Sequence, residues 1–178
     1  YPYSRHYLRV VKDRFGSYWH NHFNTIGLVG VNEALENFLG VDIGSDEGQK
    51  FAKKLLNFMR ENLLRFQEET GQLFNLEATP AEGTAYRLAK LDKEHYPSII
   101  TAGQKEPYYT NSTQLPANYT DDVFEALQLQ EPLQTSYTGG TVFHVYLGEC
   151  LNDTVSCKKL LQKMVNKFKI PYVPITPT

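Results

Sequence analysis

Six residues, Thr79-Pro80-Ala81-Glu82-Gly83-Thr84, bring two hydroxyls, a carboxylate and a glycine together at the expected start of a helix. Thr79 can cap that helix by accepting a backbone N–H. Pro80 falls at the first helical position, where a missing N–H costs nothing. Glu82 falls three residues after the cap and can reach back to the cap N–H. The preceding LFNLEA gathers Leu73, Phe74 and Leu76 in a short apolar run that suits a buried strand. A strand running into a helix N-terminus brings free N–H groups and the positive dipole end to one point, which is chemistry for holding an anion. Gly83 lets a ligand approach the backbone. The same residues also read as a capped structural helix with no ligand.

Other reactive residues form weaker patterns. His20 and His22 in YWHNHF would share a face on a strand, either as a metal edge or as polar surface. No carboxylate or cysteine follows at ligand spacing. His144 alternates with apolar neighbours in VFHVY and is expected to be packed or hydrogen-bonded. Asp121-Asp122 suits the first turn of a helix. Cys150 and Cys157, seven residues apart, allow a disulfide, a redox pair or two unrelated thiols, and the last is favoured because no CxxC is present. The motifs of phosphate loops, dinucleotide folds, serine hydrolases and zinc proteases are absent.

The elements that must position these residues follow from periodicity. FNTIGLVGV, residues 23–31, is strand-like, and a short helix runs from Asn32 to Phe38. Ser45 or Asp46 starts a second helix whose Ala52, Leu55, Leu56, Met59, Leu63 and Phe66 recur at threes and fours, with Gly71 closing it. The helix from Thr79 is expected to be short, ending near Leu88. Residues 97–116 read as a long loop with an extended segment near Tyr108–Asn111, and loops of this length are often functional. A short helix follows from Thr120 or Asp121 to Leu129. Strand-like runs at 139–147 and 170–178 flank a last helix, capped by Asn152, Asp153 or Thr154, whose Leu160, Leu161, Met164, Val165 and Phe168 form an apolar face. Residues 1–22 show no clear period. This alternation of strands and helices predicts an α/β fold with a largely parallel sheet or barrel, in which sites lie at the C-terminal ends of strands.

Composition narrows the function classes. The 178 residues are 41% hydrophobic, enough for one domain with a sizeable core. A net charge of −2 gives no electrostatic case for nucleic acid or an anionic membrane. No apolar run approaches the ~20 residues of a membrane span, and the first residues do not form a signal peptide. The sequence opens at Tyr1 without Met and stops within IPYVPITPT, which is the expectation for a piece of a longer chain.

Five blocks together carry a resemblance. FNTIGLVGVNEAL, NLEATPAEGTAYRLAKLD, YYTNSTQLPANYTDDVFEAL, TGGTVFHVYLGE and IPYVPITPT stand in this order and approximate spacing in anaerobic (class III) ribonucleoside-triphosphate reductases, which are glycyl-radical enzymes. The resemblance runs over nearly all of residues 1–178. It implies part of a ten-stranded α/β barrel, here a single segment from the second half. It implies reduction of ribonucleoside triphosphates to 2′-deoxyribonucleotides by radical chemistry, in deoxyribonucleotide biosynthesis for DNA replication. The family's finger-loop cysteine lies upstream of Tyr1. Its four-cysteine zinc site and radical glycine lie downstream of Thr178. The segment alone is therefore expected to be inactive and to bind no cofactor, and Cys150 and Cys157 receive no radical role.

By the same resemblance, Thr79, Ala81, Glu82, Gly83 and Thr84 would cradle the substrate's phosphates, and family members often carry Ser at the position of Gly83. A carboxylate beside phosphates is awkward unless Glu82 turns back towards the cap. Asn111 and Ser112 would face the active site, although turns commonly use such residues for their own backbone. Thr176 and Thr178 are weaker candidates. The glycines of FNTIGLVG would permit close packing. The implied partners are a ribonucleoside triphosphate, nucleotide effectors bound elsewhere in the full chain, a radical-SAM activating enzyme and a second copy of the full-length protein. The implied setting is cytoplasmic, without nucleic acid or membrane. A split or degenerate half-barrel that binds a nucleotide or a partner chain is the alternative. A glycyl-radical lyase would need different blocks around its site.

Overall fold

Two parallel strand pairs, each joined by a helical crossover, carry the architecture. In this computed structural model, which describes residues 2–148 and 153–177, the chain runs α1 (Pro2–Tyr7), α2 (Arg9–Phe15), β1 (Phe23–Gly27), α3 (Val31–Leu39), α4 (Asp46–Thr70), β2 (Leu73–Glu77), α5 (Glu82–His95), α6 (Val123–Gln134), β3 (Val145–Leu147), α7 (Thr154–Lys167) and β4 (Ile175–Pro177). β1 pairs with β2 in register Phe23↔Leu73 to Gly27↔Glu77, and β3 pairs with β4 in register Val145↔Ile175 to Leu147↔Pro177. Parallel strands cannot be joined by a tight turn, so α3 and α4 form one crossover and α7 the other. The α/β class and the parallel pairing are as expected. No helix among the described residues is long and apolar enough to cross a membrane.

The helix α4 shows how sequence becomes packing. Ser45 is its N-cap, and the Ser45 hydroxyl accepts from Gly48 N–H at 3.1 Å. Asp46 and Glu47 in the first turn suit the dipole. Ala52, Leu56 and Leu63 are buried, with Leu55 and Met59 packed beside them, while Phe66 stays partly exposed against Phe74. Gly71 ends the helix in the left-handed conformation.

These residues meet Val31, Leu35, Ile43, Leu76, Leu115, Leu133 and Tyr137 in one core, and Leu127, Phe143, Val145, Leu147 and Met164 form a second. Ala126 packs against both, so α6 ties the strand pairs together.

Several boundaries differ from expectation. Residues 2–15 are helical although they lack an apolar period, and α2 has no buried residue. β1 stops at Gly27 because Gly30 turns at φ +74° to start α3. α6 begins later, at Val123, because Asp122 is the cap that accepts from Phe124 N–H and Glu125 N–H. Only residues 145–147 of the run at 139–147 form a ladder. Earlier in that run, Thr138 and Gly139 donate N–H groups to Leu76 O, and Gly140 O accepts from Ala78 N–H. α7 is capped by Asp153, whose carboxylate accepts from Ser156 N–H at 2.7 Å. Its inner face is narrower than expected: Met164 is buried, Leu160 and Phe168 pack beside it, and Leu161 and Val165 are exposed. Cys150 and Thr178 lie outside the described residues.

Candidate functional site

The clearest correction concerns the start of α5. The helix begins at Glu82, with Ala81 as its N-cap and no side-chain cap bond. Thr79 does not cap, because its side chain is held against the end of β1. A Cβ built on Gly27 would fall 1.7 Å from the Thr79 hydroxyl oxygen, so the two elements touch only because residue 27 is glycine. Pro80 O accepts from Glu82 N–H and closes a tight turn before the helix. Pro80 is therefore outside the helix, and Glu82 is free of the expected capping box. Its side chain instead lines a cavity of about 310 Å³. Gly83 and Thr84 are exposed on the first turn, and a Cβ at Gly83 would meet nothing within 4 Å.

That cavity is walled by the start of α5, the segment 108–111, residues 114–121, the start of α6 and residues 143–146. Asn111 lines it, and Ser112 does not. Ser112 is buried at φ +45° and donates its hydroxyl to Thr79 O at 3.2 Å. The Ser112 carbonyl accepts from Val31 N–H at 3.1 Å, and Thr110 O accepts from Gly30 N–H at 2.8 Å. Asn111 thus sits between two residues docked on the N-terminus of α3, and it bridges Val29. Among the described residues its amide side chain has no hydrogen-bond partner.

The long loop is tied down along its whole course. Tyr109 donates to Asp92 on α5 at 2.6 Å, and burial together with this carboxylate pushes its pKa well above the usual tyrosine value. Tyr109 is thus a neutral donor. Gln114 donates to Val142 O at 2.6 Å, and Gln130 donates to Thr113 O at 3.1 Å. Thr113 shares a 2.9 Å bond with the Tyr137 hydroxyl, and burial raises Tyr137 to about 12.

Residues that sequence reasoning missed complete the wall. His144 is exposed and lines the cavity beside Tyr146, with ring centroids 6.3 Å apart, rather than being packed or hydrogen-bonded. The signal was present: Phe143, Val145 and Leu147 are buried, so strand alternation puts His144 and Tyr146 on the other face. Gln114 and the ring of tyrosines Tyr108, Tyr109 and Tyr119 carried no local pattern.

The remaining candidates lie elsewhere. Thr176 pairs with Tyr146 across β3 and β4 and does not line the cavity. His20 and His22 occupy a turn rather than a strand, where His20 stacks on Phe15 and His22 meets Trp19 edge-on. Cys157 is a free, half-buried thiol on α7. Among the described residues no group of three or more His, Cys, Asp or Glu side chains is placed to hold a metal ion.

The cavity's lining is mixed, with apolar Leu115, Pro116, Val123 and Phe143 beside its polar groups, and nearly free of cations. Asn111, Gln114 and Thr120 offer amide and hydroxyl groups, Glu82 and Asp121 are acids, and no lysine or arginine lines it among the described residues. Such a lining suits hydroxyl groups of a ligand and repels bare phosphates.

The family model for anaerobic ribonucleoside-triphosphate reductase matches residues 1–178. The anaerobic ribonucleoside-triphosphate reductase of Enterobacteria phage T4 is 33% identical over 129 residues, which are 72% of this chain and 20% of that protein. The enzyme of the same name from Escherichia coli K12 is 25% identical over 120 residues, 66% of this chain and 17% of that protein. The chain therefore spans about a fifth of the length of the curated relatives it matches. A solved anaerobic ribonucleotide reductase superimposes with a TM-score of 0.74 at 21% identity, over 99% of this chain and 31% of that one. The Thermotoga maritima enzyme in complex with dATP and CTP gives 0.69 at 25% identity, over 94% and 28%. The barrel-type α/β fold expected from sequence is shared with these reductases, and the chain belongs to the anaerobic ribonucleoside-triphosphate reductase family.

Proposed function

We propose that this chain is part of the catalytic subunit of an anaerobic reductase that converts ribonucleoside triphosphates to 2′-deoxyribonucleoside triphosphates, and that the cavity around Asn111 holds the substrate ribose. The observation that carries this reading is Asn111 itself. Asn111 lines the cavity and its amide has no protein partner among the described residues, while both neighbouring residues are fixed by hydrogen bonds. An amide held in this way offers a donor and an acceptor to ribose hydroxyls.

The triphosphate needs donors that the cavity lacks. The exposed first turn of α5 supplies them: backbone N–H groups at Gly83 and Thr84, the Thr84 hydroxyl and the dipole end of a 14-residue helix. Glu82 lines the cavity, so an acid there would repel phosphates, which approach from the Gly83–Thr84 side. Thr79, Ala81 and Ser112 support this turn rather than contact the ligand.

The glycyl radical and structural zinc of the family would belong, in this reading, to other parts of the polypeptide, where the glycyl group, not the zinc, would supply the radical that starts ribose reduction. Effector nucleotides, the activating enzyme and the second subunit of a homodimer act there as well, in a cytoplasmic enzyme that supplies precursors for DNA replication. This chain's residues bind and orient.

The test uses the full-length polypeptide that carries this segment. Gly83→Phe fills open space and leaves folding intact, yet blocks approach to the first turn. It is expected to weaken ribonucleotide binding at least ~10-fold in equilibrium dialysis. Asn111→Ala is expected to lower anaerobic turnover by ~10–100-fold. Nucleotide binding unchanged by Gly83→Phe would end the cradle, and turnover unchanged by Asn111→Ala would end the ribose site.

A further inference from the structure

Glu33 is a carboxylate in the first turn of α3, 1% exposed, and among the described residues no cation pairs with it. A buried carboxylate is retained only where hydrogen bonds replace its water. Three donors do so here. Thr110 N–H reaches Oε2 at 2.9 Å, the Thr110 hydroxyl reaches Oε1 at 2.6 Å, and Asn32 Nδ2 reaches Oε1 at 3.3 Å. Asn32 cannot turn its amide over, because its Oδ1 accepts from Ile43 N–H at 3.0 Å and its Nδ2 also donates to Glu36 at 3.1 Å. All three groups on Glu33 are therefore donors, and a group that only accepts is required.

Two of the three bonds end on Thr110, the residue before Asn111. We propose that Glu33 is a positioning residue: it fixes Thr110 through its N–H and its hydroxyl together, and so sets the Asn111 amide in the cavity. The inference rests on the reading of that cavity as the ribose site. Ser112 holds the far side of Asn111 and Gly30 N–H holds the Thr110 carbonyl at 2.8 Å, so removing the Glu33 clamp loosens the Thr110 flank without releasing the loop. The fold survives, and the amide loses its aim.

Glutamine at position 33 keeps the shape and breaks the logic. One of its two terminal atoms becomes a donor. At Oε2 it would face Thr110 N–H, and at Oε1 it would face Asn32 Nδ2. Misplacement of an orienting group by about an ångström costs up to ~100-fold in rate.

The experiment measures kcat, KM and thermal midpoint for full-length reductase carrying this segment, as Glu33→Gln, Asn111→Ala and the double variant, under anaerobic turnover. Glu33→Gln is expected to lower kcat/KM by ~10–100-fold, and by less than ~2-fold once Asn111 is already alanine. A stability role would cost the same factor in both backgrounds, and that result overturns the proposal. If Glu33→Gln does not fold, Thr110→Val tests the same link: it keeps shape and N–H, removes the hydroxyl bond, and is expected to lower kcat/KM in the wild type and not beside Asn111→Ala. Wild-type kcat/KM for Thr110→Val overturns the clamp. Wild-type kcat/KM for Asn111→Ala alone fails the cavity reading instead, and takes the clamp's purpose with it.

Discussion

Gly27→Ala would strain the contact that joins the end of β1 to the start of the site. The new Cβ would lie 1.7 Å from the Thr79 hydroxyl oxygen, 2.7 Å from Thr79 Cβ and 3.5 Å from Glu77 O. Rotation about χ1 of Thr79 relieves the first clash only by giving up the Thr79 hydroxyl's contact with Glu77 O. It does not remove the second, because Thr79 Cβ is fixed by the backbone. Carbon atoms rest about 3.5–4.0 Å apart, so β1 or residues 78–80 must shift by about an ångström. Overpacking of this kind costs about 1–3 kcal/mol, a fall of roughly 2–12 °C in the unfolding midpoint for a unit of this size. The displacement has a direction. Thr79 O accepts from the Ser112 hydroxyl at 3.2 Å, and Ser112 follows Asn111, so under the proposed function the shift is also expected to lower turnover of the full-length polypeptide. Differential scanning calorimetry on Gly27→Ala, Thr79→Ala and the double variant decides the matter. Thr79→Ala relieves the 1.7 Å contact and leaves the 2.7 Å one, so the double variant recovers part of the loss, with a coupling of about 1 kcal/mol. A midpoint for Gly27→Ala within about 1 °C of wild type, or two effects that simply add, would refute this reasoning.

Three further outcomes follow from the same geometry. Ser45→Ala removes the acceptor for Gly48 N–H and is expected to cost about 1 kcal/mol in urea unfolding. Gly48→Ala puts a Cβ 2.0 Å from Asp42 O, a backbone atom that cannot rotate away, and is expected to lower the thermal midpoint more than Ser45→Ala does. Tyr137 sets a pH dependence: burial raises its folded pKa from 10.0 to about 12, so the folded state keeps a proton that the unfolded chain gives up. Its contribution is full below pH 10 and is lost as pH rises to about 12, by about 2–3 kcal/mol, and urea midpoints for Tyr137→Phe should lack that slope.

How far the sequence reveals this molecule depends on whether a feature is local. The bounds of α4, its Ser45 cap and its Gly71 end were legible, because helix period and capping chemistry lie within a few residues of each other. So were the β1–β2 runs and the α/β class, while of the runs at 139–147 and 170–178 only three residues each pair. The start of α5 was not. Thr79-Pro80-Ala81-Glu82 satisfies every local rule for a capped helix, yet Thr79 is committed to Gly27, 52 positions earlier, and its carbonyl to Ser112. Tertiary contacts outbid a cap bond worth about 1 kcal/mol. His144 was misread for a different reason: a histidine flanked by valine and phenylalanine looks packed unless the face that alternation assigns to it borders a cavity.

Asn32 and Glu33 show the limit most sharply. In sequence they are two polar residues in the first turn of a helix, where acids are common and surface-exposed. Ile43, eleven positions after Asn32, changes that reading. Its N–H takes Asn32 Oδ1, and so turns the Asn32 NH2 towards Glu33. A buried carboxylate that faces an immovable donor must find its remaining partners from elsewhere, and the loop 77 positions away provides both through Thr110. Each bond in this chain of constraint is ordinary in strength. Its effect comes from order: Ile43 orients Asn32, Asn32 and Thr110 share Glu33, and Thr110 positions the Asn111 that follows it. A loop rich in Asn, Ser and Thr, which alone would sample many turns, becomes a rigid wall because its anchors lie in the helix it closes over.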